Sequence, residues 1–414
     1  MSAALDRPLR LVPQVRHYDW GTRDFIPRLC GREPGDLPEA ELWFGAHPDA
    51  PAGVVLESDT EGTRTSRPHR DPIPLNRLIA DHRDESLGPG STGAELSFLT
   101  KILSAARPLS IQVHPSRKQA VRGFAAETGT HPPSAVDRNY RDPNHKPELL
   151  YALTPFSALS GFRPAAEAAR FLSALGLERL RPSIHRLESE GTAAYRPLLE
   201  ALHRHTGSDF AADAVEAARR ASTMGDPNCR EAMRWVLRIA ADHPDDPLVI
   251  APLFLRLTRL DPGDALFTGP GVPHSYLEGS AVEVMASSDN VLRLGLTSKR
   301  VDAEALLDIL NYETSDAALM KPQINRHPWG TRFRFQPPVE DFRLDVLHIV
   351  DTGEAPLGPD GRARILLALG GGVDVRNAQG ASLLRPGHAA VLPAAAKAVT
   401  ATGQGTLALT TSNQ

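Results

Sequence analysis

Residues 109–115 read LSIQVHP, a segment in which polar and aliphatic side chains alternate. A β-strand places every second side chain on one face, so the pattern predicts a strand with an aliphatic face and a polar face. The polar side chains are those of Ser110, Gln112 and His114. The amide oxygen of Gln112 and the imidazole of His114 could both bind one metal ion, because residues two apart on a strand point the same way. An ordinary edge strand with a solvated polar face is the alternative.

Two further residues could complete a metal site. Glu148 follows Lys146-Pro147 and opens the apolar run LLYAL, so its carboxylate is placed where a loop enters a strand. His274 lies in GPGVPHSY, where glycine and proline restrict the approach to the next strand. Nitrogen and oxygen donors without a thiolate suit a catalytic zinc that keeps one position open. Spacing alone does not show that these residues converge, and each could instead be a packed or solvated side chain.

Bulk composition restricts the classes of protein. The chain has 414 residues, enough for two or three domains, with 41% hydrophobic and 23% charged residues and a formal net charge of −4. No basic block is present, which argues against a nucleic-acid partner. Cys30 and Cys229 are the only cysteines, too few for a disulfide framework or a cysteine-based zinc site. The sequence has no apolar signal segment or run of 18 apolar residues, so we expect no membrane partner and a cytoplasmic location.

Lysine is scarce among the 46 basic residues. The chain has six, namely Lys101, Lys118, Lys146, Lys299, Lys321 and Lys397. Because arginine supplies most of the positive charge, a retained lysine indicates a need for a compact ammonium group. None follows a glycine-rich loop, so the sequence gives no indication of a nucleotide-binding P-loop.

The residue composition and the spacing of apolar residues change along the chain. Residues 163–245 are rich in alanine, leucine and arginine at helical spacing, with Pro164 predicted near a helix start and Ser208 predicted as an N-cap. Short strands and Pro-Gly turns dominate elsewhere, and the turn LDPG at 260–263 resembles LRPG at 384–387. The predicted fold class is therefore mainly β with a helical insert, comprising two jelly-roll β-barrels and an α-helical domain. The second barrel lacks the metal-ligand residue types at the matching place, which predicts a structural role.

Several blocks in the same order resemble one family. These are FLTKILSAARPLSIQVHPSRKQA, NHKPELLYAL, PGVPHSYLEG and EVMASSDNVLRLGLTSKRVD, with YDWG and AELWFGAHPDAP nearer the start. Together they are similar to the type I mannose-6-phosphate isomerases, which are zinc-dependent cupin enzymes. The resemblance runs from about residue 14 to 342 and is weakest in the helical insert. It implies a catalytic cupin domain in two parts, 1–162 and 246–330, a helical insert at 163–245 and a degenerate cupin-like domain at 331–414.

The resemblance also implies roles for individual residues. The family's zinc-ligand positions are occupied by Gln112, His114, Glu148 and His274, with one Zn²⁺ expected per chain. The residues at its catalytic positions are Arg293, Glu283 and Lys146, and those at its substrate-binding positions are Ser110, Lys101 and Arg293. The implied reaction interconverts mannose 6-phosphate and fructose 6-phosphate through an enediolate. Glu283 and Lys146 both remain candidates for the group that carries the proton.

The chain also departs from the family pattern. Leu294 and Ser298 stand where the family usually has glycine and proline, which places a bulky residue beside Arg293. A sugar-phosphate-binding cupin that senses without catalysis is the alternative function, although no helix-turn-helix segment is evident. A small-molecule sugar phosphate is the expected partner. A monomer is the expected state, but the sequence leaves the oligomeric state open.

Overall fold

The computed structural model describes residues 5–56, 71–89, 91, 93, 95–129, 138–223, 225–299, 301–314, 319–350 and 353–413. The strands in these ranges are, in chain order, β1 (Leu9–Val12), β2 (Gln14–Arg16), β3 (Glu41–Phe44), β4 (Gly53–Val55), β5 (Ile73–Pro74), β6 (Phe98–Ala105), β7 (Ile111–Val113), β8 (Glu148–Ala152), β9 (Phe156–Phe162), β10 (Leu255–Leu260), β11 (Ala265–Thr268), β12 (His274–Ala286), β13 (Leu292–Gly295), β14 (Gln323–His327), β15 (Gly330–Phe335), β16 (Arg343–Ile349), β17 (Ala355–Pro356), β18 (Arg364–Asn377), β19 (Gly380–Leu384), β20 (Ala389–Leu392) and β21 (Thr400–Thr411). The α-helices are α1 (Phe25–Leu29), α2 (Leu75–Asp81), α3 (Arg83–Leu87), α4 (Arg117–Thr128), α5 (Ala165–Ser173), α6 (Arg181–Glu190), α7 (Tyr195–Arg204), α8 (Phe210–Ala221), α9 (Pro227–Asp242) and α10 (Ala303–Ile309). Short 3₁₀ helices span Glu178–Leu180, Gly191–Ala194 and Pro247–Leu253.

A ten-stranded antiparallel sheet is organised around the long strand β12. The C-terminal part of β12 pairs with β6 and β8, and its N-terminal part pairs with β7 and β9. One strand therefore belongs to both walls of a jelly-roll barrel. The register shifts between Tyr276 and Glu278, and Gly279 follows with a φ of +123°. A Cβ at Gly279 would lie 2.6 Å from the Phe156 ring, so the bend needs glycine.

An eleven-stranded sheet contains strands from both ends of the chain. Its main order is β14-β15-β16-β21-β18-β20-β1-β4-β5, which places the N-terminal strand β1 between β20 and β4. One face of this sheet packs against the ten-stranded sheet, so that Val346 and Ile365 belong to the same buried apolar cluster as Val282 and Val284. The opposite face lines the interior of a second barrel, with Leu347, Leu407 and Leu409 among its buried residues.

Helices α5 to α9 and the flanking 3₁₀ segments bury a separate apolar cluster. This cluster extends to the aliphatic face of β7, where Ile111 and Val113 are fully buried. Helix α5 begins after Pro164, as predicted. The N-cap prediction at Ser208 is wrong by one residue, because Asp209 occupies that position, although the Ser208 hydroxyl accepts a hydrogen bond from the Phe210 amide at 3.3 Å. Helix α4 was not predicted.

The predicted fold class is confirmed, since antiparallel strands form two barrels and a run of helices lies between the strands of the first barrel. The domain boundaries stay a prediction. In the described ranges, no helix is both long enough and apolar enough to span a bilayer.

Candidate active site

A row of side chains crosses one wall of the first barrel on a single face. His274 at the start of β12 lies opposite Gln112 of β7, and Gln112 lies opposite Arg293 of β13. Residues directly opposite in an antiparallel pair point the same way. The segment containing Gln112 is therefore not an edge strand, because both of its neighbours carry candidate site residues.

Two imidazoles and a carboxylate converge at this end of the barrel. The Nε2 atom of His114 lies 3.2 Å from Oε1 of Glu148, and the Nε2 atom of His274 lies 3.4 Å from Oε2. All three side chains are buried, and their donor atoms lie within 4.8 Å of one another. A second group within this distance, His47, Asp49 and Asp289, is less buried because Asp49 is exposed.

The orientation of the two histidine rings suits the cluster to binding a zinc ion. Nδ1 of His114 lies 2.8 Å from the Asn290 carbonyl oxygen, and Nδ1 of His274 lies 2.9 Å from the Val272 carbonyl oxygen. A carbonyl can only accept, so each Nδ1 carries a proton and each Nε2 presents a lone pair. Nε2 of His114 is buried and makes no hydrogen bond to any described residue. Three such donors without a thiolate are ligands that zinc takes in catalytic sites.

The charges in the cluster favour the protonation states that a metal needs. Burial lowers the pKa of His114 to about 4, and the nearby ammonium of Lys146 acts in the same direction. Burial alone would raise the pKa of Glu148, but Lys146 and the two histidines outweigh it and hold that pKa well below its usual range. Nζ of Lys146 lies 3.1 Å from Oε1 of Glu148. The cluster therefore offers a neutral imidazole at His114 and an ionised carboxylate at Glu148 at neutral pH, as metal binding requires.

A buried ion pair lies on the adjoining wall. Glu283, Lys101 and Trp43 are direct neighbours on β12, β6 and β3, and Nζ of Lys101 is 2.8 Å from Oε2 of Glu283. The same ammonium lies 3.6 Å from Glu41 and 5.0 Å from the centre of the Trp43 ring. Burial raises the pKa of Glu283, although Lys101 opposes the rise. The hydroxyl of Tyr276 donates to Glu148 at 3.2 Å and also interacts with Glu283, which connects the pair to the metal-ligand cluster.

These groups surround a cavity of about 440 Å³. Eight of the nine predicted site residues line it, and these are Lys101, Ser110, Gln112, Lys146, Glu148, His274, Glu283 and Arg293. The ninth, His114, is fully buried and lies next to Glu148. The sequence interpretation therefore selected residues that meet in space, and their individual roles stay predictions.

Two cations at the cavity lie outside its ion pairs in the part of the chain that the structure describes. Arg293 and Lys299 both line it, and neither side chain has an ion-pair partner among the described residues. Burial lowers the pKa of each, and repulsion from Arg141 adds to the effect. Sequence reasoning missed Lys299, although three of the six lysines line this one cavity and their scarcity was the available indication. Trp43, Glu41 and Tyr276 were also missed, because nothing in their local sequence marks them.

The segment after Arg293 is held by the helical insert. Leu294 points away from the cavity and is fully buried in the helical cluster, so its bulk does not displace Arg293. Leu296 has a φ of +57°, a conformation that is uncommon for leucine. Its amide donates to Oδ2 of Asp246 at 2.6 Å, while Oδ1 of Asp246 accepts from the Leu248 amide at 2.8 Å. Asp246 thus fixes the backbone between Arg293 and Lys299.

A jelly-roll barrel that gathers two histidines and a glutamate beside a charged cavity defines a metal-dependent enzyme of the cupin class. Comparison with known proteins gives the family. A family model described as phosphomannose isomerase type I, catalytic domain, matches residues 9–165. Mannose-6-phosphate isomerase of Escherichia coli (strain K12) is 34% identical over 405 residues, which cover 96% of this chain and 98% of that protein. The chain belongs to the type I mannose-6-phosphate isomerase family.

Solved structures agree with this assignment. A point variant of phosphomannose isomerase from Salmonella typhimurium superposes with a TM-score of 0.86 at 32% identity, covering 98% of this chain and 100% of that one. A zinc-bound mannose 6-phosphate isomerase gives a TM-score of 0.86 at 32% identity, covering 99% of this chain and 100% of that one.

Proposed function

We propose that this chain is a zinc-dependent mannose-6-phosphate isomerase that interconverts mannose 6-phosphate and fructose 6-phosphate. The observation that carries the proposal is the buried cluster of His114, Glu148 and His274 at one end of a cavity that also holds a carboxylate of raised pKa, Glu283. Gln112 supplies the fourth ligand position, because it lies opposite His274 on the same face. When bound, Zn²⁺ supplies Lewis acidity that stabilises negative charge on the substrate oxygens.

The phosphate end of the substrate lies at Lys299, for which the described residues offer no carboxylate partner. Lys299 supplies positive charge and the Ser110 hydroxyl supplies a hydrogen bond on the same lining, whereas Arg293 acts at the C1–C2 end of the sugar. Lys101 was predicted to bind substrate from the family resemblance. Its ammonium is already shared by Glu283 and Glu41, so we assign it to holding Glu283 in place.

The isomerisation moves one proton between C1 and C2 of the open-chain sugar. The carboxylate of Glu283 takes this proton and returns it to the neighbouring carbon, and a positioned base contributes roughly 10²- to 10⁴-fold to the rate. Negative charge develops on the enediolate oxygens during the transfer. Lys146 and Arg293 donate hydrogen bonds to these oxygens, and the loss of one such donor typically costs about 3 to 4 kcal/mol.

Lys146 is the alternative base, because it lies at the metal-ligand cluster. Two variants separate the roles. If Glu283 carries the proton, Glu283→Gln abolishes exchange of the substrate C2 hydrogen with solvent, whereas Lys146→Met slows turnover but retains the exchange. Loss of exchange only in Lys146→Met would assign the base to Lys146 instead. Zinc content and circular dichroism of both variants serve as controls for the site and the fold.

Metal removal tests the function as a whole. Exhaustive chelation should abolish conversion of mannose 6-phosphate in a coupled assay, and one equivalent of Zn²⁺ per chain should restore it. Metal content is measured on the same samples. Turnover that persists at metal contents far below one per chain would reject the zinc role. A sensing cupin would bind the sugar phosphate without forming product, and this function is not favoured because the full-length relatives are named as isomerases.

The cytoplasmic location, the monomeric state and the absence of nucleic-acid and membrane partners stay predictions.

A further inference from the structure

The second barrel, predicted to have a structural role, has a charged cluster at one end of its interior. Arg334 on β15 and Asp345 on β16 lie directly opposite, in the same row as the buried Leu409 of β21. In the next row, Arg343 lies opposite Thr411. These side chains therefore share the face that lines the barrel, at the end where β16 begins and β21 ends.

Three guanidinium groups in this cluster lie near a single carboxylate, that of Asp345. Arg334 forms a bidentate ion pair with Asp345, in which Nε lies 2.9 Å from Oδ1 and Nη2 lies 3.0 Å from Oδ2. The Nε atoms of Arg332 and Arg343 lie 3.8 Å and 3.9 Å from the same carboxylate. No other carboxylate of the described residues lies within 4.0 Å of these three arginines, which leaves two positive charges unbalanced.

The geometry also leaves hydrogen-bond donors unused. The Nε–H groups of Arg332 and Arg343 are buried and have no acceptor in the described structure. Buried donors without acceptors cost stability, and uncompensated buried cations cost more. Burial lowers the pKa of both arginines, and repulsion from Arg334 adds to that cost. A group that supplied oxygen acceptors and negative charge would relieve both penalties.

The cluster is partly open to solvent. The exposed fractions of the side chains are 15% for Arg332, 26% for Arg334 and 12% for Arg343, whereas Asp345 is inaccessible. Solvent therefore reaches part of each arginine side chain, while the carboxylate that would repel an anion stays covered. Arg332 is also anchored, since it donates to the Pro356 carbonyl oxygen at 2.6 Å.

We propose that Arg332, Arg334 and Arg343 form an anion-binding site in the second barrel that takes a phosphate group. Guanidinium groups match phosphate oxygens in bidentate geometry, and a dianion would balance the two excess charges. Free inorganic phosphate and the phosphate group of a sugar phosphate offer the same chemistry. The site shares no residue with the catalytic cavity, so phosphate binding at this site can be tested independently of the isomerase function.

Equilibrium dialysis of the full-length zinc enzyme measures the site directly. With labelled inorganic phosphate, the wild-type enzyme should bind one more equivalent per chain than Arg332→Gln/Arg343→Gln, or bind it at least about tenfold more tightly. Arg376→Gln is the control, because Arg376 lies on the same barrel and pairs with Glu354 at the surface. Turnover of mannose 6-phosphate should be unchanged in all of these proteins. A parallel titration with glucose 6-phosphate tells whether the site accepts a sugar phosphate or free phosphate alone.

Hydrogen exchange on the wild-type enzyme locates the site even if the double variant does not fold. Added phosphate should slow amide exchange in β15 and β16, and sodium chloride at matched ionic strength should not. Equal phosphate stoichiometry and affinity in the wild type and the double variant would overturn the proposal. So would unchanged exchange in both strands at phosphate concentrations that saturate the catalytic cavity.

Discussion

Replacing Lys101 with methionine tests how the buried ion pair controls Glu283, the carboxylate that we propose as the base. Nζ of Lys101 lies 2.8 Å from Glu283, and both side chains are buried. At this distance the attraction is about 6 kcal/mol for an effective dielectric constant near 20. That energy corresponds to about four pKa units and sets an upper bound, because Glu41 shares the ammonium and water can enter the variant.

The direction of the effect follows from the protonation state that a base requires. As the proposed base, Glu283 would act only when ionised, so kcat/KM should fall as the pH drops through its pKa. Burial already raises that pKa, and Lys101 is the foremost of the groups that oppose the rise. In Lys101→Met the opposition is gone, so the acid limb of the kcat/KM profile should move to higher pH by between about one and four units.

Stability gives an independent readout of the same pair. Removing one partner of a buried pair costs about 3 to 5 kcal/mol when the other stays charged. Since the folded variant holds the Glu283 proton more tightly than the unfolded chain, its stability deficit should be small in acid and grow as the pH rises above about 4.5, the ordinary value for glutamate. Lys101→Met/Glu283→Gln should regain stability at neutral pH but not activity.

Lys118→Met is the matched control, because Lys118 is exposed on α4. Its pH profile and unfolding midpoint should equal those of the wild type. The measurements are initial rates between about pH 5 and 10, and urea unfolding at about pH 4 and about pH 9, which lie below and above the ordinary pKa of glutamate. A folded Lys101→Met enzyme whose acid limb stays in place would refute the role assigned to the pair.

Two further variants test the cationic side of the cavity. Arg293→Gln should retain zinc and the folded structure but lose roughly a hundred- to a thousandfold in turnover, because it removes a donor to the developing oxyanion; rates within a fewfold of wild type in a steady-state assay would remove Arg293 from the mechanism. Asp246→Asn should raise KM for mannose 6-phosphate about tenfold while leaving zinc content unchanged, since the Leu296 amide would lose its charged acceptor and the backbone between Arg293 and Lys299 would shift. Unchanged KM in that variant would show that Asp246 serves stability alone.

The fold was predictable from the sequence where local patterns decide it. Alternation in LSIQVHP predicts the two faces of β7, and the structure buries Ile111 and Val113 against the helical cluster. Pro164 predicts the start of α5. The insertion of β1 between β20 and β4 was not predictable, because a four-residue strand carries no information on which distant strand it will pair with.

The side chains of the candidate site were predictable from the sequence, but the groups that orient those side chains were not. Imidazole, carboxylate and amide groups at strand ends are recognisable as ligand types, and lysine scarcity marks Lys101 and Lys146. The carbonyl oxygens of Asn290 and Val272, which orient the two histidines, belong to the backbone and depend on where loops fall in space. The side chain of Asp246 acts in the same way, through an amide of a residue 50 positions away.

Strand β12 explains why residues so distant in sequence share one cavity. Its first residue, His274, lies opposite Gln112 in one wall, and eleven positions later Met285 lies opposite Glu148 in the other wall. A straight strand would hold these two partners far apart, because eleven residues span about 36 Å at 3.3 Å each. Only a strand that turns from one wall of the barrel into the other brings His274 within 3.4 Å of Glu148. The bend at Gly279 is therefore as much a requirement of the metal site as the ligands themselves.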